Sequence, residues 1–159
     1  MSGGHSFVVL GPLHGQGATA ERVMRALPGW FGIEASIVDY ARAAGEGPTF
    51  VAEAADGPVG FLTVRPTSAA AVEVHVMGVL PSWHRNGVGR ALVERAARYA
   101  HELGASVLHV KTLAPSDPDA GFARTRAFYE AMDFVPLEVL TQVWGPENPC
   151  LIMVRPPAG

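Results

Sequence analysis

Two glycines, Gly87 and Gly89, lie where a strand-like run gives way to a helix-like one in VEVHVMGVLPSWHRNGVGRAL, residues 72–92. Without a Cβ the backbone can bend sharply there and come close to a ligand. The first N–H groups of a helix have no internal acceptor, and the peptide dipoles add partial positive charge. The segment therefore suits an anion such as a pyrophosphate. Arg85 and Arg90 could supplement the amides with side-chain charge. A glycine-relieved strand-to-helix turn with no ligand accounts for the same spacing. A dinucleotide fold is a further reading. It needs Gly or Ala where Leu92 stands and an acidic residue about 20 positions on, and Val107–Lys111 offers none.

Upstream of the loop, Glu73, His75, Met77 and Val79 share one strand face by the two-residue period. His75 is a candidate to take a proton, histidine having a reference pKa near ~6.5. Downstream, Tyr129 aligns with Phe122, Thr125 and Met132 at helical spacing, which turns its ring inward. Each has a structural alternative. Glu73 can hydrogen-bond a neighbouring strand or loop, His75 can be a packing residue, and Tyr129 can be a core tyrosine with a backbone partner. The histidines at 5, 14, 75, 84, 101 and 109 have no metal-ligand spacing, so no metal is expected. Cys150 reads as a buried apolar residue. Trp30, Phe31, Trp83 and Trp144 read as packing residues that could also line an acceptor pocket.

These residues need elements to hold them. Residues 6–10 read as a strand, and the GPLHGQGA stretch after it as a plain turn, since no Gly-Lys-Ser/Thr follows. Residues 18–45 read as two short helices broken at Pro28-Gly29. Thr49–Ala54, Gly60–Arg65 and Val72–Val79 read as antiparallel strands, with a turn at Asp56-Gly57-Pro58. Val88–Leu103 is the next helix, with Val88, Leu92, Ala96, Tyr99 and Leu103 on its apolar stripe and Gly104 as its stop. Ser106–Leu113, a helix over Asp119–Met132, and strands Leu137–Trp144 and Cys150–Arg155 complete the chain. The order predicts an α+β domain on one mixed sheet.

The loop resembles the cofactor motif of the GNAT acetyltransferase superfamily, Gln/Arg-x-x-Gly-x-Gly/Ala after a strand and a proline turn. Here it stands as His84-Arg85-Asn86-Gly87-Val88-Gly89, with His84 where Gln or Arg is usual. The resemblance runs from Pro48 to Arg155 and includes Thr125-Arg126-Ala127-Phe128-Tyr129-Glu130, then Asp133-Phe134. Asp133 replaces the usual glycine, and Phe122 stands where many members carry a cofactor-contacting asparagine. Before residue 48 only the layout of helices matches.

The resemblance implies a single GNAT-type domain over residues 1–159, a mixed, mostly antiparallel sheet of about seven strands flanked by about four helices. It implies acetyl-CoA as donor and an amine that attacks the thioester directly. Arg85, Asn86, Gly87, Val88, Gly89 and Arg90 would cradle the pyrophosphate. The strand at 72–79 would splay from that at 106–113, and backbone at Met77, Gly78 and Val79 would pair with the pantetheine arm. Glu73 would be a general base, directly or through water, and Tyr129 would protonate or hydrogen-bond the departing sulfur. A non-catalytic acyl-CoA-binding module is the alternative from another class; it would have no need of Tyr129 or Glu73.

Bulk properties narrow the partners. A net charge of −3 without a basic run suggests neither nucleic acid nor a membrane surface. A hydrophobic fraction of 48% supports a core without disulfides. One cysteine, the absence of a secretory pattern at the N-terminus and the absence of a long apolar run predict a soluble cytoplasmic protein. The family's acceptor regions, here Ala26–Tyr40 and Trp144–Pro149, contain Trp30, Phe31, Glu34, Asp39 and Glu147. They suit a small cationic amine with some apolar body better than a protein N-terminus or lysine. Relatives are often dimers, so a homodimer is an open expectation.

Overall fold

The computed structural model describes residues 6–115 and 120–158. The expected helix start at Asp119 and the histidine at position 5 lie outside these residues. Along the described chain run β1 (Val8–Leu13), α1 (Gly17–Arg25), α2 (Glu34–Glu46), β2 (Thr49–Ala54), β3 (Gly57–Ser68) and β4 (Ala71–Val79). After them come α3 (Val88–Glu102), β5 (Val107–Leu113), α4 (Ala120–Ala131), β6 (Val135–Leu140) and β7 (Cys150–Arg155). The strands form one sheet in the order β1-β2-β3-β4-β5-β7-β6. The β4–β5 pair is parallel, whereas β1–β2, β2–β3, β5–β7 and β6–β7 are antiparallel. This is the mixed α+β sheet that the resemblance implied.

Two compact units share these elements. One runs up to Arg65 and includes His75–Ala96; the other comprises Pro66–Val74 and the chain from Ala97 onward. In the first, Ala20, Val23, Met24 and Leu27 meet Ile37 and Ala44 of α2 over Phe61 and Val76. Each fully buried Val, Leu or Phe contributes roughly 1.5–3 kcal/mol. Arg95 of α3 donates to the carbonyls of Val9 (2.9 Å) and Gly11 (2.5 Å), the second within the stretch where β1 slips register against β2. Gly60 lets α3 start close to the sheet. A Cβ there would stand 3.1 Å from Val88 Cγ1 and 3.2 Å from the Gly78 carbonyl oxygen.

In the second unit, β5 lies between the first half of β4 and β7. Leu108, Val110, Met132, Phe134 and Met153 are buried. Cys150 is fully buried as expected, and burial pushes its thiol up from the ordinary cysteine value.

Several expected bounds shift for reasons of pairing and packing; β3, for one, is Gly57–Ser68 rather than Gly60–Arg65. The first strand is Val8–Leu13 rather than residues 6–10, because β2 pairs it through Leu13. The sixth strand is Val135–Leu140 rather than Leu137–Trp144. Its partners on β7 run from Val154 back to Cys150, and the chain then bends toward the Gly145–Asn148 turn. The apolar stripe of α3 is also rotated. Val88, Leu92, Val93, Ala96, Ala97 and Ala100 are buried, whereas Leu103 is exposed and Tyr99 partly so. No described helix is long and apolar enough to cross a membrane.

Candidate active site

The glycine loop is built in the first unit. After β4 a single 3-10 turn, Pro81–Trp83, leads into residues 84–87 and then α3. Arg85 (φ 64°) and Gly87 (φ 79°) both adopt left-handed backbone, so the chain reverses within four residues. A Cβ on Gly87 would meet nothing within 4 Å, so the space in front of the loop is open. The first α3 bond runs from Ala91 N–H to the Gly87 carbonyl at 3.0 Å. The amides of Val88, Gly89 and Arg90 precede it and have no intrahelical acceptor. Arg85 and Arg90 are exposed beside them. Open space, unspent helix amides and two guanidiniums fit a pyrophosphate.

His84, the residue that departs from the motif, has a defined task. Its Nε2 lies 2.8 Å from the Val79 carbonyl oxygen, which can only accept, so Nε2 carries the hydrogen. Asn86 Nδ2 donates to the His84 carbonyl at 3.0 Å. The loop is thus tied to the end of β4, and one backbone acceptor in Met77–Val79 is already engaged by a side chain.

The second half of β4 alternates, with Val74, Val76 and Gly78 buried and His75, Met77 and Val79 partly exposed, whereas Glu73 is buried between buried Val72 and Val74. His75 meets the Tyr40 ring at 5.4 Å, Val76 packs into the α1–α2 cluster, and a Cβ on Gly78 would face Val23 and Leu27. The registered β4–β5 pairs run from Ala71↔Val107 to Val74↔Val110.

In the second unit, Glu73 is 3% exposed and its carboxylate accepts from Lys111 Nζ at 2.5 Å. Lys111 on β5 is the functional neighbour that sequence reading missed. No local pattern links residues 38 positions apart.

Tyr129 is buried, as its helical spacing predicted, between the rings of Phe128 and Phe134, each with its centroid 5.4 Å away. The end of α4 fixes it. Phe134 N–H bonds the Tyr129 carbonyl at 3.0 Å, and Asp133 N–H bonds that of Glu130 at 3.1 Å. This is a Schellman ending, whose apolar contact is the Tyr129–Phe134 ring pair. Buried Arg126 donates to the Leu113 carbonyl at 2.8 Å and docks α4 on the end of β5. Burial pushes the Tyr129 phenol far up from the ordinary tyrosine value, so it keeps its proton and can donate a hydrogen bond.

Asp133 takes the left-handed position (φ 71°) that Gly104 (φ 79°) fills at the end of α3. Left-handed backbone costs a non-glycine residue roughly 1–2 kcal/mol, less for Asp, whose short polar side chain suits it. Asp133→Gly should therefore raise stability by about 0.5–1 kcal/mol with turnover unchanged, an effect readable as a melting rise of ~1–4 °C. A fall in melting temperature would mean that the aspartate makes a compensating contact.

Two of the three carboxylates expected to receive a cationic acceptor are paired, and the third, Glu147, is exposed. Arg25 clasps Glu34 through two hydrogen bonds, at 2.9 and 2.7 Å, and also pairs with Glu21. Asp39 lies 3.4 Å from Arg42. Among the aromatics, Trp83 meets Phe7, Trp30 meets His84 and Phe31 meets Tyr40. Trp144 is 41% exposed, more than a packing residue would be. No group of three His, Cys, Asp or Glu that could hold a metal occurs among the described residues.

No curated protein matches the chain in sequence. In structure it is similar to the ribosomal-protein-S18-alanine N-acetyltransferase from Escherichia coli (17% identity, 97% of this chain and 96% of that one, TM-score 0.75). It is also similar to an aminoglycoside 6'-N-acetyltransferase complexed with coenzyme A (18%, 96% and 98%, TM-score 0.72). A third such structure is a GNAT family acetyltransferase from Elizabethkingia anophelis with acetyl-CoA bound (13%, 96% and 99%, TM-score 0.70). At these identities the likeness concerns the fold. The sequence itself matches the acetyltransferase (GNAT) domain over residues 45–136, from the end of α2 through the glycine loop and α3 to the start of β6. That stretch is more than half of the protein, and the chain belongs to the GNAT acetyltransferase family.

Proposed function

We propose that this chain is an N-acetyltransferase that uses acetyl-CoA and acts on a small-molecule amine. The observation that carries the reading is the glycine loop inside the matched domain, with Gly87 at φ 79° in front of the free amides of α3. Acetyl-CoA, when bound, supplies an acetyl thioester open to attack by an amine. Arg85, Arg90 and the amides of Val88–Arg90 hold the pyrophosphate, and backbone at Met77–Val79 aligns the pantetheine arm. The base takes a proton from the attacking amine. Tyr129 would give a hydrogen bond to the sulfur as charge develops there. A thiolate has a reference pKa near ~8.5, so one well-aimed donor eases its departure.

For the base, His75 suits the task better than Glu73. Glu73 is buried and held by Lys111, whereas the His75 ring is partly exposed beside Tyr40. The alternative of a non-catalytic acyl-CoA sensor would not require a buried, protonated tyrosine.

Thermal unfolding with acetyl-CoA, and with NAD⁺ as control, tests the donor. At a hundredfold excess over Kd, binding adds about 2.7 kcal/mol. For a chain of this size that is a rise of roughly 5–10 °C. A rise with acetyl-CoA alone is expected. No rise at millimolar concentration would sink the donor assignment.

A further inference from the structure

In the first unit the contacts close into a circuit along β4. The His75 ring meets Tyr40 of α2 (5.4 Å, 71°), and Tyr40 meets Phe31 (6.2 Å, 83°). Phe31 is bonded in sequence to Trp30, whose ring meets His84 edge-on at 6.2 Å. His84 in turn holds the Val79 carbonyl, four residues along β4 from His75. The short connection between α1 and α2 thus sends one ring toward the base candidate and the adjacent ring toward the cofactor loop.

The exposure of these rings is uneven. Phe31 and Tyr40 lean on the α1–α2 core, yet both remain partly exposed, as does His75. Trp30 is 38% exposed, although its contact with His84 holds it in place. An indole left in water on the element next to a base and a cofactor loop is a surface waiting for a flat apolar partner.

The charges argue in the same direction. A polycationic acceptor, such as a polyamine or an aminosugar, needs carboxylates free to receive its ammonium groups. Glu34 has both oxygens on Arg25, and Asp39 is paired with Arg42, so a polycation would meet these guanidiniums as well as the carboxylates. A single amine on an aromatic or otherwise planar apolar body avoids that cost and uses the rings instead.

We infer that the acceptor is an arylalkylamine-type substrate: its planar body lies against Trp30, Phe31 and Tyr40, and its nitrogen is presented to His75. This rests on the transferase reading above and narrows its substrate class.

The test is steady-state acetylation of 2-phenylethylamine, spermidine and a short peptide with a free N-terminus, run beside the acetyl-CoA melting shift. The expected result is the highest kcat/KM for 2-phenylethylamine. Trp30→Ala, a change at a partly exposed ring, should raise KM for that amine about tenfold. The effect should fall on that KM more than on kcat. His75→Gln should instead lower kcat and remove the acid limb of the pH profile. A preference for spermidine or the peptide, turnover of none of the three, or an unchanged KM in Trp30→Ala would overturn the inference even if acetyl-CoA still raises the melting temperature. Loss of that shift in the unmodified protein would overturn the donor assignment itself.

Discussion

Tyr129→Phe is expected to lower kcat by about one to three orders of magnitude, within or just below the roughly 10²–10⁴ that a positioned acid or base contributes. The substitution removes one hydroxyl and keeps the ring that packs between Phe128 and Phe134, so fold and acetyl-CoA affinity should change little. The loss should fall on kcat, because the hydrogen bond is needed as charge develops on sulfur and not when the thioester binds. Unchanged kcat would take Tyr129 out of the mechanism and leave it a core residue.

The same burial predicts a pH effect on stability. The folded phenol is held above the ordinary tyrosine value, so the folded chain keeps a proton that the unfolded chain gives up near pH ~10. This contribution is intact below that value and is lost as pH rises above it. Tyr129→Phe should therefore soften the alkaline fall in melting temperature.

Lys111→Met is expected to cost about 3 kcal/mol. Removing one partner of a buried ion pair takes away the other charge's counter-ion, at roughly 3–5 kcal/mol. The low end applies because the Lys111 side chain keeps 26% of its exposure, whereas that of Glu73 keeps 4%. The melting temperature should fall by ~6–12 °C. The double variant Glu73→Gln/Lys111→Met should recover most of the loss, since it buries no lone charge. Turnover of that double variant then separates the two readings of Glu73. Near-native kcat is expected if the carboxylate is structural. A well-folded double variant slowed a hundredfold would instead restore Glu73 as the base.

The fold was legible where its signals are local. The spacing of Gly104 after α3, the break at Pro28-Gly29 and the turn before β3 all lie within a few residues of the structure they dictate. The strand ends were less legible. The limits of β1 and β6 follow from the length of their partners, which the strands' own residues do not encode. The buried stripe of α3 was legible at Val88, Leu92 and Ala96 but not toward its end, where Ala97 and Ala100 are buried and Leu103, just before the left-handed Gly104, is exposed.

The candidate site divides along the same line. By itself the sequence determined the glycine loop, because its shape is made of consecutive backbone: the left-handed residues, the proline turn and the first helix amides lie in one run of residues. It also determined that Tyr129 faces inward, since helical period fixes a direction. Only the tertiary structure decided what the side chains do. It gave Glu73 to Lys111, set His75 beside Tyr40, committed Glu34 to Arg25, and found for His84 a carbonyl to hold. The physical reason is that a backbone site is set by the dihedrals of neighbouring residues. The reactivity of a side chain is set instead by the charges and rings that the sheet order brings to it from elsewhere in the chain.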